Sequence, residues 1–167
     1  SLQGAKMRLV GLLVAAMAFA GASASAQTSD HLNARCLNRE RSLTPEQQVL
    51  ACTQQLGLPG RTPEQRAYVL NNRGNAFRDQ REYGQAIADY DEAIRLNPNY
   101  ANAYNNRGIA NRAAGLPDRA LADFTAAIRI DPEFAGAYGN RGNAYADRGD
   151  LTRALADFTR AIELNPD

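Results

Sequence analysis

From residue 67 onward, apolar and small side chains recur three and four positions apart, which is the spacing that places them on one face of a helix. Two such faces follow one another along the chain. Leu70, Gly74 and Phe77 lie on the first face, and Ala86 and Tyr90 lie on the second. Polar residues fill most of the positions between them. The pattern predicts a pair of amphipathic helices that pack against each other.

The helix pair returns with a period of 34 residues, in the segments 67–100, 101–134 and 135–167. Several columns of residue types repeat in phase. They are Asn-Arg-Gly at 72–74, 106–108 and 140–142; Ala86, Ala120 and Ala154; Tyr90, Phe124 and Phe158; and Pro98, Pro132 and Pro166. Glycine marks the turn inside the second and third units, at Gly115 and Gly149. The sequence therefore predicts an all-α fold, an α-solenoid of antiparallel helical hairpins.

At these columns the chain resembles the tetratricopeptide repeat (TPR) family, because small, aromatic and proline positions all fall in phase over residues 67–167. The resemblance implies a right-handed superhelix of helical hairpins with a concave peptide-binding face, and it does not imply catalysis. Two departures from the family pattern are present. Arg73, Arg107 and Arg141 stand where the family usually has Leu, and Asn111 stands where it usually has an aromatic residue.

A degenerate first helical hairpin and a linker are expected ahead of the three repeats, at residues 27–66. The segment 44–47, Thr-Pro-Glu-Gln, has the capping-box pattern of a helix start, and the segment 62–65 repeats it. Residues 63–66 are four positions in excess of a strict 34-residue period. The extra residues allow the first hairpin to be displaced relative to the first repeat.

Cys36 and Cys52 fall in two facing columns when this first hairpin is aligned on the later repeats. Cys52 takes the aromatic column, and Cys36, sixteen residues earlier, takes the glycine column. The spacing predicts a Cys36–Cys52 disulfide across the hairpin, worth on the order of 3 kcal/mol and consistent with export. Two buried free thiols are the alternative, and the lack of a C-x-x-C pattern disfavours a redox pair.

The amino-terminal segment has the pattern of a secretory signal peptide. Lys6 and Arg8 precede an apolar run at 9–20 and small residues that end at Ala26. We expect residues 1–26 to be a signal peptide, with extra residues ahead of Met7, cleaved after Ala26 or alternatively after Ala24. The apolar run is too short for a stable membrane anchor, so the mature chain is expected to cross the inner membrane into the periplasm. An uncleaved apolar helix is the alternative.

Charge and composition exclude several classes of function. The net charge is +1, and removal of Lys6 and Arg8 leaves 17 cations, all Arg, against 18 anions, a net charge of −1. A near-neutral chain has no field to attract nucleic acid, and a mature chain without Lys cannot carry out Schiff-base or Walker-type chemistry. One histidine, His31, and two cysteines cannot build a multi-histidine metal centre. We expect no metal, no cofactor, no catalytic residue and no enzyme activity.

Candidate peptide-binding side chains lie on the first helix of each pair, which the resemblance places on the concave face. Asn72, Asn106 and Asn140 form a column that can contact an extended peptide backbone, because an amide both donates and accepts. Alternatively, these amides bond to neighbouring helices and hold the superhelix. The other candidates on this face are Tyr68, Asn71, Asn75, Arg78, Asn102, Asn105, Arg112 and Asn143. A Lys-based clamp for carboxylate-terminated tails is not expected, although Arg78 and Arg112 can attract an acidic ligand.

A charged pair also recurs in phase with the packing columns. Each Arg of the Asn-Arg-Gly triplet precedes an Asp by sixteen residues, in the pairs Arg73 and Asp89, Arg107 and Asp123, and Arg141 and Asp157. The recurrence predicts guanidinium–carboxylate bridges with a structural role, which fix register rather than add raw stability.

Together these features predict an exported, non-enzymatic scaffold that binds an extended peptide or a partner protein on its concave face. One alternative is an assembly subunit that forms homo-oligomers through the last repeat, where Leu155, Phe158, Ile162 and Leu164 have no following helix to cover them. Another alternative is a fragment of a larger TPR protein.

Overall fold

The structure is a computed structural model that describes residues 33–37 and 42–166. The predicted signal peptide, residues 1–26, and His31 lie outside the described residues. Residues 33–37 are helical, and seven further helices follow in the described part of the chain. They are α1 (Pro45–Gly57), α2 (Pro63–Asp79), α3 (Tyr83–Leu96), α4 (Ala101–Ala113), α5 (Pro117–Ile130), α6 (Ala135–Asp147) and α7 (Leu151–Leu164).

Each helix packs mainly against the helix before it and the helix after it. The closest pairs are α2 with α3, α4 with α5, and α6 with α7, and the second helix of each pair also contacts the first helix of the next. The first helices α2, α4 and α6 touch one another in sequence order. No strand occurs in 33–37 or 42–166. The predicted all-α solenoid of helical hairpins is confirmed.

Two threonines start α1 and α2 with the expected capping boxes. The Thr62 hydroxyl accepts from the Gln65 backbone N–H at 3.3 Å, and the Gln65 side chain accepts from the Thr62 N–H at 3.1 Å. Thr44 and Gln47 make the same pair of bonds. Because Thr62 caps the helix and Pro63 fits its first turn, the four extra residues 63–66 lengthen α2 at its start. The first helix of the first repeat therefore begins at residue 63, ahead of the expected boundary at 67.

The turn inside each hairpin uses a residue in the left-handed region. Gly115 and Gly149 adopt φ of 77°, and Arg81, the residue at the same place in the first repeat, adopts φ of 64°. Behind Arg81, the Glu82 N–H donates to the Phe77 carbonyl at 2.9 Å and closes the end of α2. An arginine in this conformation costs about 1–2 kcal/mol relative to glycine, so the hairpin contacts must impose it.

The two helices of each hairpin approach closely where a glycine faces an aromatic ring. A Cβ atom added to Gly108 would lie 2.6 Å from Phe124 Cε1, and one added to Gly74 would lie 2.7 Å from Tyr90 Cε1. A Cβ atom added to Gly142 would lie 2.7 Å from Phe158 Cε1. No side chain larger than hydrogen fits at these distances without a shift of the ring, so these glycines set the distance between the helices.

Cys36 and Cys52 occupy the same facing positions in the first hairpin. Their sulfur atoms lie 2.11 Å apart, and both residues are fully buried beside Ala51 and Val69. The sulfurs thus take the place that the glycine–ring contact takes in the later hairpins. The structure places the two cysteines at bonding distance, as the column alignment predicts.

The last helix exposes an apolar face. Leu151, Leu155 and Ile162 of α7 are 70%, 68% and 64% exposed. Leu121, the counterpart of Leu155 in the preceding hairpin, packs in a cluster that includes Ala144 of the next hairpin. Self-association through α7 stays a prediction. Among the described residues, no helix is both long enough and apolar enough to cross a membrane.

Replacement of Gly108 by Ala is expected to lower the free energy of unfolding by about 1–3 kcal/mol, because the new methyl group must displace the buried Phe124 ring. Gly84→Ala is the matched control, since a Cβ at this exposed position in α3 meets nothing within 4 Å. There the substitution should be neutral or stabilising by up to about 1 kcal/mol. Urea unfolding followed by circular dichroism measures both, and equal effects would contradict the packing argument.

Candidate functional site

The structure brings all three predicted charged pairs together as bidentate bridges within their hairpins. Arg73 Nε and Nη2 lie 2.7 Å from the two carboxylate oxygens of Asp89. Arg141 donates to Asp157 in the same way, at 2.8 Å for both bonds. Arg107 Nη2 lies 2.6 Å from Asp123 Oδ1. Since the three aspartates are buried, each guanidinium supplies the charge-assisted bonds that its carboxylate needs.

The remaining guanidinium nitrogen of each arginine reaches back to the preceding hairpin. Arg107 Nη1 donates to Asp91 Oδ1 at 2.6 Å. In the other two hairpins, the arginine Nη1 donates to a threonine hydroxyl instead. Arg73 Nη1 lies 3.1 Å from Thr53 Oγ1, and Arg141 Nη1 lies 3.3 Å from Thr125 Oγ1. The repeat pattern alone does not predict these contacts, although Asp91 and Thr125 also lie sixteen residues before their arginines. Each arginine therefore joins two hairpins as well as two helices.

Arg107 is the most heavily paired of the three arginines. Burial lowers its pKa, but the hydrogen bonds and charges of Asp123 and Asp91 outweigh burial and raise the pKa above its usual value. Arg107 therefore stays charged at any pH at which the protein is folded. Its neighbour Asn111 donates from Nδ2 to Asp123 Oδ2 at 2.8 Å, which adds a fixed amide to the cluster.

The asparagine column forms hydrogen bonds between successive first helices. Asn106 Nδ2 donates to Asn71 Oδ1 at 3.0 Å, and Asn140 Nδ2 donates to Asn105 Oδ1 at 2.9 Å. We call this series the asparagine ladder. Its acceptors, Asn71 and Asn105, are buried. Asn72 is outside the ladder, because its Nδ2 donates to the Tyr68 carbonyl of its own helix at 2.9 Å.

The ladder still leaves hydrogen-bonding groups for a ligand. The Oδ1 atoms of Asn106 and Asn140 have no partner among the described residues, and neither atom is buried away from solvent. The alternative role for this column, in which the amides bond to neighbouring helices, therefore accounts for the Nδ2 donors of Asn106 and Asn140. It does not use their Oδ1 acceptors.

The side chains of three other candidates beside the ladder form no hydrogen bond with a described residue. Tyr68 is 46% exposed, and Asn102 and Asn143 are exposed with no hydrogen bond to any described residue. Tyr68 and Asn102 lie four residues before Asn72 and Asn106, and Asn143 lies three residues after Asn140. Residues three or four positions apart lie on the same side of a helix, so each candidate is beside a member of the asparagine column. We call these three residues and the half-buried Asn72, Asn106 and Asn140 the first-helix face.

The remaining candidates are engaged inside the protein. Asn75 Oδ1 accepts from the Tyr90 hydroxyl at 2.8 Å, and burial raises the pKa of that hydroxyl. Arg78 bonds to Asp79 at 3.0 Å, and Arg112 Nε bonds to Asp147 in the next hairpin at 2.6 Å. An acidic ligand would have to compete with these carboxylates for the two arginines.

Within the described part of the chain, no group of three or more His, Cys, Asp or Glu side chains is arranged to hold a metal ion. The first-helix face offers hydrogen-bonding groups and exposed side-chain surface.

The fold and this face define a helical-hairpin repeat scaffold, and comparisons with known proteins identify the family. The family model described as tetratricopeptide repeat matches residues 101–134 and 135–167, and the one described as TPR repeat matches residues 74–115. The chain belongs to the tetratricopeptide repeat family, whose members are generally non-catalytic scaffolds.

Solved structures of this family are similar to the chain. The crystal structure of MamA aligns with a TM-score of 0.67 at 27% identity, over 77% of this chain and 72% of that one. The Arabidopsis OM64 TPR domain aligns with a TM-score of 0.61 at 33% identity, over 62% and 86%. The second TPR of Spaghetti (RPAP3), bound to the HSP90 peptide SRMEEVD, aligns with a TM-score of 0.59 at 30% identity, over 61% and 94%. Comparison with curated proteins finds no match.

We expect the Arg107–Asp123 bridge to show a coupling free energy of about 0.5–3 kcal/mol, because loss of either partner leaves the other buried without its counter-charge. The measurement is a double-mutant cycle of Arg107→Ala, Asp123→Ala and the double variant in urea unfolding. The exposed Arg95–Glu92 pair serves as the control and should couple by no more than about 0.5 kcal/mol. Strictly additive effects at Arg107 and Asp123 would show that the bridge is not a unit.

Proposed function

We propose that this protein is a non-enzymatic scaffold that binds an extended segment of a partner protein on the first-helix face. The observation that carries the proposal is a row of exposed side chains that form no hydrogen bond with the described residues, Tyr68, Asn102 and Asn143, beside the Oδ1 atoms of Asn106 and Asn140, which likewise form none. Polar groups with no partner inside the protein are suited to bond to a ligand, and amide oxygens suit the N–H groups of an extended backbone.

The likeness to the RPAP3 domain supports the same proposal, since that domain is bound to a peptide in its structure. The ligand of this chain should differ in charge from that acidic peptide. Arg78 and Arg112 are paired with Asp79 and Asp147, so the first-helix face has few cations to offer. We infer that the first-helix face forms hydrogen bonds with the backbone of a largely uncharged segment.

Export to the periplasm is the second part of the proposal. Residues 1–26 have the charge and apolar pattern of a signal peptide. The sulfurs of Cys36 and Cys52 lie at bonding distance in a buried site, and a lasting disulfide needs an oxidising compartment. The two observations come from different parts of the chain and support the same location.

Binding at the first-helix face is tested with a phage-displayed library of short random peptides, selected on the wild-type chain. Selected peptides should bind the Asn102→Ala/Asn143→Ala variant about tenfold more weakly, because two hydrogen bonds are lost. Neither side chain bonds to the described protein, so the fold should be retained in circular dichroism. Asn99→Ala, an exposed asparagine in the loop before α4, is the matched control. Peptides that bind the double variant as tightly as the wild type would exclude this face.

Export is tested by intact mass spectrometry of the protein expressed with residues 7–26 in a bacterial host, isolated from the periplasm and alkylated without reductant. We expect a chain that starts at Gln27 and carries no alkyl groups, because the Cys36 and Cys52 thiols are joined. Reduction before alkylation should add two alkyl groups and is the control. An unprocessed chain, or two alkyl groups on the unreduced protein, would contradict the proposal.

A further inference from the structure

In the third hairpin, one aromatic side chain lies close to two arginines. Tyr145 of α6 has its ring 6.0 Å from the guanidinium carbon of Arg141 and 4.4 Å from that of Arg153. The equivalent ring in the first hairpin, Phe77, lies 5.9 Å from Arg73. An aromatic ring at this place therefore packs beside the arginine of the Asn-Arg-Gly triplet, at distances typical of cation–π contacts.

The second hairpin has the two arginines and lacks the ring. Asn111 stands at this position, 34 residues from both Phe77 and Tyr145, and a cleft of about 290 Å³ opens beside it. Arg107 and Arg119, the counterparts of Arg141 and Arg153, both line the cleft. Arg119 is exposed and forms no ion pair or ring contact with any described residue. The cleft thus lies where a ring sits in the neighbouring hairpins.

Asn111, which lines the cleft, has a buried acceptor without a partner among the described residues. Asn111 is only 3% exposed, and its Nδ2 donates to Asp123 Oδ2 at 2.8 Å, which fixes the orientation of the amide. Its Oδ1 is buried and has no hydrogen-bond partner among the residues that the structure describes. A buried acceptor left unsatisfied costs about 1–3 kcal/mol, so a ligand that donates one hydrogen bond here gains more than it would at the surface.

The charges that line the cleft cancel. Asp91 and Asp123 oppose Arg107 and Arg119, and the side chains of Ile87 and Ala122 complete the wall. A metal ion would need more carboxylates free of arginine, and an anion would be repelled by the two aspartates. The volume far exceeds the share of one water, about 30 Å³, and is near the lower end of small-ligand pockets, about 300 Å³. The cleft fits a neutral group of ring size.

We infer that this cleft binds the phenol side chain of a tyrosine from a partner protein. The ring would lie between Arg107 and Arg119, as Tyr145 lies between Arg141 and Arg153, and the hydroxyl would donate to Asn111 Oδ1. The chain thereby has a second contact for its partner, on the cleft between α3, α4 and α5, separate from the first-helix face.

The inference is tested by titration of the ¹⁵N-labelled chain with p-cresol, the tyrosine side-chain analogue, followed by backbone amide shifts. The shifts should concentrate in 107–123 and vanish in Asn111→Tyr, which fills the cleft with its own ring. Asn99→Tyr, the same exchange at an exposed asparagine in the loop before α4, should leave binding unchanged. Persistent binding to Asn111→Tyr, or shifts confined to the first-helix face, would overturn the inference.

Two further comparisons examine the hydrogen bond and the arginine. Toluene, which lacks the hydroxyl, should bind about tenfold more weakly than p-cresol, because it cannot donate to Asn111 Oδ1. Arg119→Met should weaken p-cresol binding, and Arg129→Met, an exposed arginine of α5 outside the cleft, should not. Equal binding of toluene, or equal effects of the two arginine variants, would contradict the proposed geometry.

The source of the phenol is tested with N-acetyl-tyrosinamide, which carries peptide groups on both sides of the side chain. It should bind at least as tightly as p-cresol if a protein tyrosine is the ligand. Failure of N-acetyl-tyrosinamide to bind, with p-cresol still bound, would point to a free phenol and overturn the partner-protein inference. The Asn102→Ala/Asn143→Ala variant should bind p-cresol normally, so this site and the first-helix face can fail independently.

Discussion

The contact between a bare glycine backbone and an aromatic ring is the constraint on which the rest of the structure depends. Gly108 and Phe124 show it most sharply, because even a methyl group at Gly108 would lie 2.6 Å from the ring. The residues one position earlier on each helix are Arg107 and Asp123, which the same close approach brings within hydrogen-bond distance. One separation of sixteen residues therefore sets both the apolar contact and the charged bridge, in every hairpin that the family pattern covers.

The hydrogen bonds between successive first helices use only part of the bonding capacity of the amides on the first-helix face. Asn106 and Asn140 use their donors to tie successive hairpins together, and their acceptors stay available. In the third repeat, Gly139 stands where Asn71 and Asn105 supply the acceptor, so the ladder has no equivalent acceptor there. The bonds to neighbouring helices fix the positions of Asn106 and Asn140, so their Oδ1 atoms are held at a set spacing.

Periodicity predicted the parts of the structure that depend on position alone. The hairpins, the glycine–ring contacts and the proximity of Cys36 and Cys52 all follow from columns sixteen or 34 residues apart. The direction of the asparagine bonds does not follow, because an amide on a helix surface can reach its own helix, as Asn72 does, or the next one. The left-handed Arg81 was also beyond sequence reasoning, since local preference favours glycine there and only the hairpin contacts override it.

The sulfur pair of the first hairpin has a consequence for how the array comes apart. In a solenoid each unit is stabilised only by its neighbours, so the terminal units fray first. A covalent link between Cys36 and Cys52 joins the two helices of the first hairpin to each other and not to α2, so it would keep them paired even when the hairpin separates from α2. The redox state of two sulfur atoms would then decide whether the first hairpin leaves the array as a pair of helices or loses its helix pairing as it separates.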